Sequence, residues 1–283
     1  MLRHPRGLQR SAKLFFVLGC VCSVATIAIA CAEPMAPIPV GAIAWNPPAR
    51  FALWWKMTES CSGRQGDLRA VRWYVVPNAS SIDVDGQQVH GETIGNRIVL
   101  ADSHRLDGPL VRHEMLHALL GVGGHPRNAF LGACNDIVAC EGACEAEAGG
   151  RPAPLETATE LAPRDVVTRV EVVPGTPAAS QDSGAVAVIV SITNPRATPA
   201  WVRLVPPDSP EGIGYTFGLA IDYDDVGRVF IRDQNGIIGK RFPLGANETR
   251  RYVWDGELPP GAYGIRGWFN NDTVPRFVLR VAL

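Results

Sequence analysis

The sequence predicts an α+β protein in two parts, a small mixed domain over residues 49–150 followed by an all-β sandwich over residues 166–283. Three observations carry this expectation. Hydrophobic residues make up 46% of the chain and charged ones 19%, enough apolar material to bury a real core. Apolar residues at helical spacing are confined to the first part, and beyond residue 166 the hydrophobic period changes to two. With 29 glycines and 23 prolines, strands and turns should outweigh long helices. A formal net charge of −1 removes the electrostatic ground for expecting nucleic acid as a partner.

Residues 1–32 read as an export signal. Arg3, Arg6, Arg10 and Lys13 form a positive start, and Leu14 to Ala30 is an uncharged apolar run that ends in small residues. That run is also just long enough for an uncleaved anchor. Ala30, Cys31 and Ala32 fit small-x-small cleavage before Glu33, whereas Ala28-Ile29-Ala30-Cys31 resembles the lipobox of bacterial lipoproteins, with Ala28 where Leu is usual. The second route puts a lipid on Cys31. Membrane contact of the processed chain is expected only through that anchor, in a protein otherwise secreted or held in the cell envelope.

Export leaves Cys61, Cys134, Cys140 and Cys144 in an oxidising compartment, so two disulfides are expected. The spacing C-x5-C-x3-C lacks the paired C-x2-C knuckles of a structural zinc site. Of the three pairings, Cys61 with Cys134 and Cys140 with Cys144 is preferred.

After a proline-rich linker over residues 33–48, Ala49 to Ser60 shows apolar residues at helical spacing and should end near Cys61-Ser62-Gly63. Trp54 and Trp55 are expected in a core, with a substrate groove as the other use. Val71 to Val76 is a strand stopped by Pro77 and Asn78, and Asn78-Ala79-Ser80 is a glycosylation sequon only outside bacteria. Ser81 to Asn96 is polar, with Asp85-Gly86 as a hairpin turn. Arg97 to Ala101 is a second strand. Asp107 is a fit N-cap for the following helix, with Pro109 in its first turn.

That helix carries the chemistry. His113, Glu114 and His117 form H-E-x-x-H, which on a helix places both imidazoles on one face, one turn apart. Two imidazoles so placed can hold Zn²⁺, and Glu114 can take a proton from a zinc-bound water. Leu110, Val111, Leu116, Ala118, Leu119 and Leu120 surround this face with apolar residues. Gly121, Gly123 and Gly124 then permit a reversal that returns His125 toward the metal.

His113 to His125 resembles the zincin metallopeptidases, and its layout is similar to the metzincin branch, HExxHxxGxxH. Gly121 comes one residue late and His125 two, and no methionine follows Met115, so the Met-turn of that branch cannot exist. The stretch RHEMLHALLG…GHP also resembles small exported bacterial proteins with the same core. The resemblance implies peptide-bond hydrolysis by a zinc held by His113 and His117, with His125 the first choice as third ligand. A gluzincin-like arrangement would instead use Glu141, Glu145 or Glu147; Asp136 is a further carboxylate. In zincins a strand just before the motif helix forms the edge that aligns substrate, which Arg97 to Ala101 could supply, although a buried central strand fits it equally. His90 and His104 are expected in solvent-exposed loops, His104 near enough to assist an oxyanion. Tyr74 or the second domain would have to supply any phenol for the tetrahedral intermediate.

A proline-punctuated linker spans residues 151–165. Beyond it, roughly eight strands separated by turns argue an antiparallel immunoglobulin-like sandwich. Its ending, Leu244 to Trp254 and Leu258-Pro259-Pro260-Gly261 to Trp268, resembles bacterial immunoglobulin-like domains related to a bacillar intracellular proteinase inhibitor. Asp222, Asp224 and Asp225 read as a solvated turn before a calcium site, and Trp201, Trp254 and Trp268 as core before a sugar platform.

The leading expectation is an exported zinc-dependent metallopeptidase acting on a peptide or protein. The alternative is a non-catalytic cell-envelope binding protein with a vestigial or structural metal site and a partner-binding sandwich. The sequence carries no signal for oligomeric state.

Overall fold

The computed structural model describes residues 37–150, 158–162, 165–175, 184–203, 217–223, 227–232, 241–258, 261–269, 272–273 and 277–281. The stretch read as an export signal, with Cys31, lies outside them, as do Asp224 and Asp225, and the side chains of Asp222 and Trp268 are likewise not described. Helices and several sheets are both present, so the protein is α+β.

In chain order the first part contains β1 (Ile43–Ala44), α1 (Arg50–Ser62), β2 (Arg72–Val76), β3 (Ile82–Val84), β4 (Gln87–Val89), β5 (Gly91–Ile94), β6 (Arg97–Ala101), α2 (Gly108–Leu120), a π-helical turn (Asn128–Ala133) and α3 (Ala143–Glu147). The main sheet runs β1-β2-β6-β5, with β2 and β6 parallel and both flanking pairs antiparallel. All five residues of β6 are buried. Ile98 and Leu100 face the helices with Trp73, Val111 and Met115, while Val99 and Ala101 pack on Ile82 and Tyr74 on the other face. A strand covered on both faces reads as an apolar run, and β6 is an interior strand and not an edge; β5, next to it, is an edge. This β5, within the stretch read only as polar, went unseen in the sequence.

Local chemistry explains the helix boundaries. Gly63 closes α1 at φ 65°, and Gly121 closes α2 at φ 66°, both left-handed positions where glycine avoids a Cβ clash. Asp107 caps α2 by accepting from Leu110 N, and Pro109 sits in its first turn. Asp85 and Gly86, both at positive φ, turn β3 into β4. Trp54 and Trp55 are buried.

Both disulfides of the preferred pairing are present. Cys61–Cys134 ties the end of α1 to the π-helical turn across a separation of 73 residues, and Cys140–Cys144 closes a short loop. A loop of the first size restricts the unfolded chain by roughly 4 kcal/mol in the chain-entropy account. Disulfides persist in oxidising surroundings, and no helix among the described residues is long and apolar enough to cross a membrane.

The second part is built of strands. These are β7 (Thr159–Glu160), β8 (Val167–Pro174), β9 (Gly184–Thr193), β10 (Ala200–Arg203), β11 (Phe217–Tyr223), β12 (Gly227–Arg232), β13 (Arg241–Leu244), β14 (Thr249–Leu258), β15 (Gly261–Phe269), β16 (Asp272–Thr273) and β17 (Phe277–Val281). β7, in the stretch read as linker, pairs in parallel with β10. The antiparallel sheet β14-β9-β8 has two covered faces. Along β9, Ala187 and Ile189 join the helical core with Phe51 and Trp54, whereas Val186, Val188 and Val190 pack with Tyr263 and Ile265 of β15. Period-two alternation thus lets one strand serve two cores.

Candidate metal centre

The three histidines singled out in the sequence converge. One nitrogen from each of His113, His117 and His125 lies within 4.8 Å of the others, the first two buried and the third half-buried. His113 Nε2 is 3.1 Å from His117 Nε2 and 3.2 Å from His125 Nε2. Helical spacing sets the first pair. Gly121 sets the third, because its left-handed turn lets the chain reverse and bring His125 back to the helix.

Each ring is aimed by its other nitrogen. His113 Nδ1 faces Ala139 O at 2.6 Å, His117 Nδ1 faces Val122 O at 2.9 Å, and His125 Nδ1 faces Glu147 Oε2 at 2.6 Å. All three partners are acceptors, so each Nδ1 carries the proton and each Nε2 presents a lone pair. Lone pairs about 3 Å apart repel unless a cation lies between them. Tetrahedral coordination at zinc–nitrogen distances would hold two such nitrogens about 3.3 Å apart, close to the two spacings measured from His113. Burial, reinforced by the neighbouring imidazole, holds His113 down at about 3, and burial holds His117 down at about 4, so both are neutral and fit to bind a metal ion.

The floor of the group is Phe130, fully buried, whose ring centroid is 5.0, 4.9 and 4.9 Å from those of His113, His117 and His125. The π-helical turn puts it there. Among the described residues no fourth His, Cys, Asp or Glu joins the group, and all four cysteines are tied in disulfides. Glu141 is exposed and neither it nor Glu145 enters the cluster; Glu147 holds His125 in place of ligating. Asp136 turns away to Arg250 Nε and Arg251 N, at 2.8 and 2.9 Å.

Glu114 is buried against β5. Thr93 Oγ1 donates to its Oε2 at 2.7 Å and to its main-chain oxygen at 3.0 Å, and Oε1 occupies space that a Cβ on Gly91 would enter at 2.9 Å. Gly91 and Thr93 pair with Leu100 and Ile98, which places them on the helical side of the sheet. Burial pushes Glu114 up to about 8, opposed by the Thr93 hydrogen bond. Glu92, half-buried beside it, is also raised, by burial and by Asp85, while His125 acts to lower it.

Neither Glu92 nor Thr93 stood out in the sequence. The signal available was weak, a four-residue alternation in a polar stretch. Phe130 was equally silent, one apolar residue after His-Pro. Tyr74 packs with Val99 and Ala101 on the sheet face away from α2, so it does not supply a phenol to this centre. His90 and His104 stack on each other at 4.1 Å and stay out of the group; His90 is exposed and His104 half-exposed. A cleft of about 890 Å³ reaches the centre at His117, with Glu92, Thr93 and Ile94 of β5 and Leu119 and Val122 in its lining, whereas His113, Glu114 and His125 do not line it.

No family profile matches the chain, and no curated protein matches it. Solved structures that it resembles include an ApaA protein from Bordetella pertussis, at 21% identity and TM-score 0.28, over 42% of this chain and 94% of that one. A structural-genomics X-ray structure, target SoR45, matches at 14% and 0.24, over 42% and 86% of the two chains. A protein from Archaeoglobus fulgidus matches at 9% and 0.20, over 41% and 97%. Function therefore rests on the geometry of the site.

Proposed function

We propose that the protein is an exported zinc-dependent metallopeptidase of zincin-like type with an immunoglobulin-like second domain. The observation that carries this reading is the set of three Nε2 lone pairs, each fixed by an Nδ1 acceptor, with no fourth protein ligand among the described residues. Structural zinc sites close with four protein ligands, and catalytic ones keep a position for water or substrate. Zinc held there supplies Lewis acidity to a water and to the carbonyl oxygen of the scissile bond.

The chain's own residues supply the rest. As an edge strand of the sheet, β5 offers main-chain groups to an extended peptide lying in the cleft. Glu114 takes a proton from the attacking water and passes it to the leaving amine, with its carboxylate held toward β5 by the Thr93 hydroxyl. Apolar packing around α2 and Phe130 keeps water from the back of the site.

Two measurements test the reading. Metal analysis of the purified full chain is expected to find about one zinc per molecule. Glu114→Gln should retain that zinc and lose hydrolysis of an unstructured protein such as casein by at least about a hundredfold; undiminished hydrolysis in this variant would overturn the mechanism.

A further inference from the structure

Two of the three Nδ1 acceptors come from one short stretch of chain. Ala139 O serves His113, and eight residues later Glu147 serves His125 twice, through Nδ1 at 2.6 Å and the backbone N at 3.3 Å. Between them lies the Cys140–Cys144 disulfide, and α3 carries Glu147. Both ends are pinned. Ala139 N donates to Pro109 O in the first turn of α2 at 2.9 Å, and Arg127 Nη1 donates to Ala148 O at 3.1 Å and to Gly150 O.

Glu147 has no packing reason to sit where it does, with a side chain 55% exposed to solvent. Its Oε1 lies where a Cβ on Gly124 would come within 2.9 Å, so the loop bearing His125 has a glycine at the point where the carboxylate closes in. Phe130 packs against the His125 ring but does not choose which nitrogen faces the other two histidines, and settling that on metal binding costs affinity. A carboxylate on Nδ1 fixes both tautomer and ring orientation in advance.

We infer that residues 139–147 form a disulfide-closed strap that aims His113 and His125, with Glu147 the positioning residue for His125. The strap rests on the metal centre proposed above and adds to it a determinant of metal affinity outside the ligand set.

The test uses the full chain stripped of metal and titrated with Co²⁺, whose ligand-field absorption reports imidazole coordination, and with Zn²⁺ against a chromogenic chelator. Glu147→Ala should weaken binding about 10–100-fold. Glu147→Gln should recover part of that loss, because its amide oxygen still accepts from Nδ1–H. The Cys140→Ser/Cys144→Ser double variant should also bind more weakly, and the metal-free melting temperature of the Glu147 variants should match the parent's. Affinity of Glu147→Ala within about twofold of the parent, with metal lost in His125→Ala, overturns the strap and leaves the centre standing. A parent chain that binds neither ion overturns both.

Discussion

Burial sets the protonation of the residues at the centre, and this makes the metal-free protein sensitive to pH in opposite directions. His113 and His117 titrate at about 3 and about 4 when folded and near 6.5 when unfolded, so below that value the unfolded chain binds the extra protons. The stability they contribute is complete above pH 6.5 and is lost as pH falls. Glu114 works the other way: raised from 4.5 to about 8, it keeps its proton in the metal-free folded chain, where no cation beside it favours the carboxylate that acts as base. Stability therefore falls as pH rises through that window. From these three groups the melting temperature of metal-free protein should peak near pH 6.5, and Glu114→Gln should remove the decline between pH 6.5 and 8, as melting curves against pH would show. At the same scale, Thr93→Val removes the hydroxyl that holds Glu114. Loss of one such hydrogen bond is expected to lower kcat about tenfold with zinc content unchanged, measured by steady-state kinetics beside metal analysis.

At the scale of elements, the edge strand β5 and the turn after α2 position the chemistry. Gly91 leaves room for the Glu114 carboxylate, and a methyl there would sit 2.9 to 3.1 Å from its atoms. Gly91→Ala should therefore cost hydrolysis more than it costs metal binding, by more than about tenfold in kcat/KM. The Cys61–Cys134 crosslink joins α1 to the turn that seats Phe130. Replacing both cysteines by serine should cost about 2–5 kcal/mol, read by chemical denaturation. The helix of His113 and His117 was legible in sequence because its cap, its apolar face and its glycine stop are all local signals. The role of β6 was not, since its run of four apolar residues after Arg97 has no period to distinguish an edge from a centre and only its neighbours β2 and β5 settle that.

Across the whole molecule, the second part is joined to α1, α2 and the segment after the π-helical turn through polar groups, Arg112 and Asn135 buried among them. Asp255 on β14 accepts from Trp54 Nε1 at 2.8 Å and lies 3.9 Å from Nη1 of Arg112, the residue before His113. Arg112 is almost fully buried, its Nε donates to Ile137 O at 2.7 Å, and burial lowers it to about 10 despite Asp255. Asp255→Ala should destabilise the fold by about 2–4 kcal/mol, because the buried Arg112 loses its counter-ion and the Trp54 indole N–H its acceptor; thermal unfolding of the metal-free variant measures it. Ser60 with Glu171 and Asn135 with Thr249 O cross the same boundary. None of these pairs could be read from sequence. By itself the sequence determined what depends on near neighbours along the chain: the α+β character, the helix that carries His113, Glu114 and His117, the hairpin at Asp85-Gly86 and a disulfide framework. Tertiary structure alone decided that His125 and not Glu141 or Glu145 completes the group, that Thr93 and Glu147 hold the side chains around it, and that β9 serves two cores. Those contacts join residues from 12 to more than 100 positions apart, and local periodicity cannot encode which distant partner packing will bring into place.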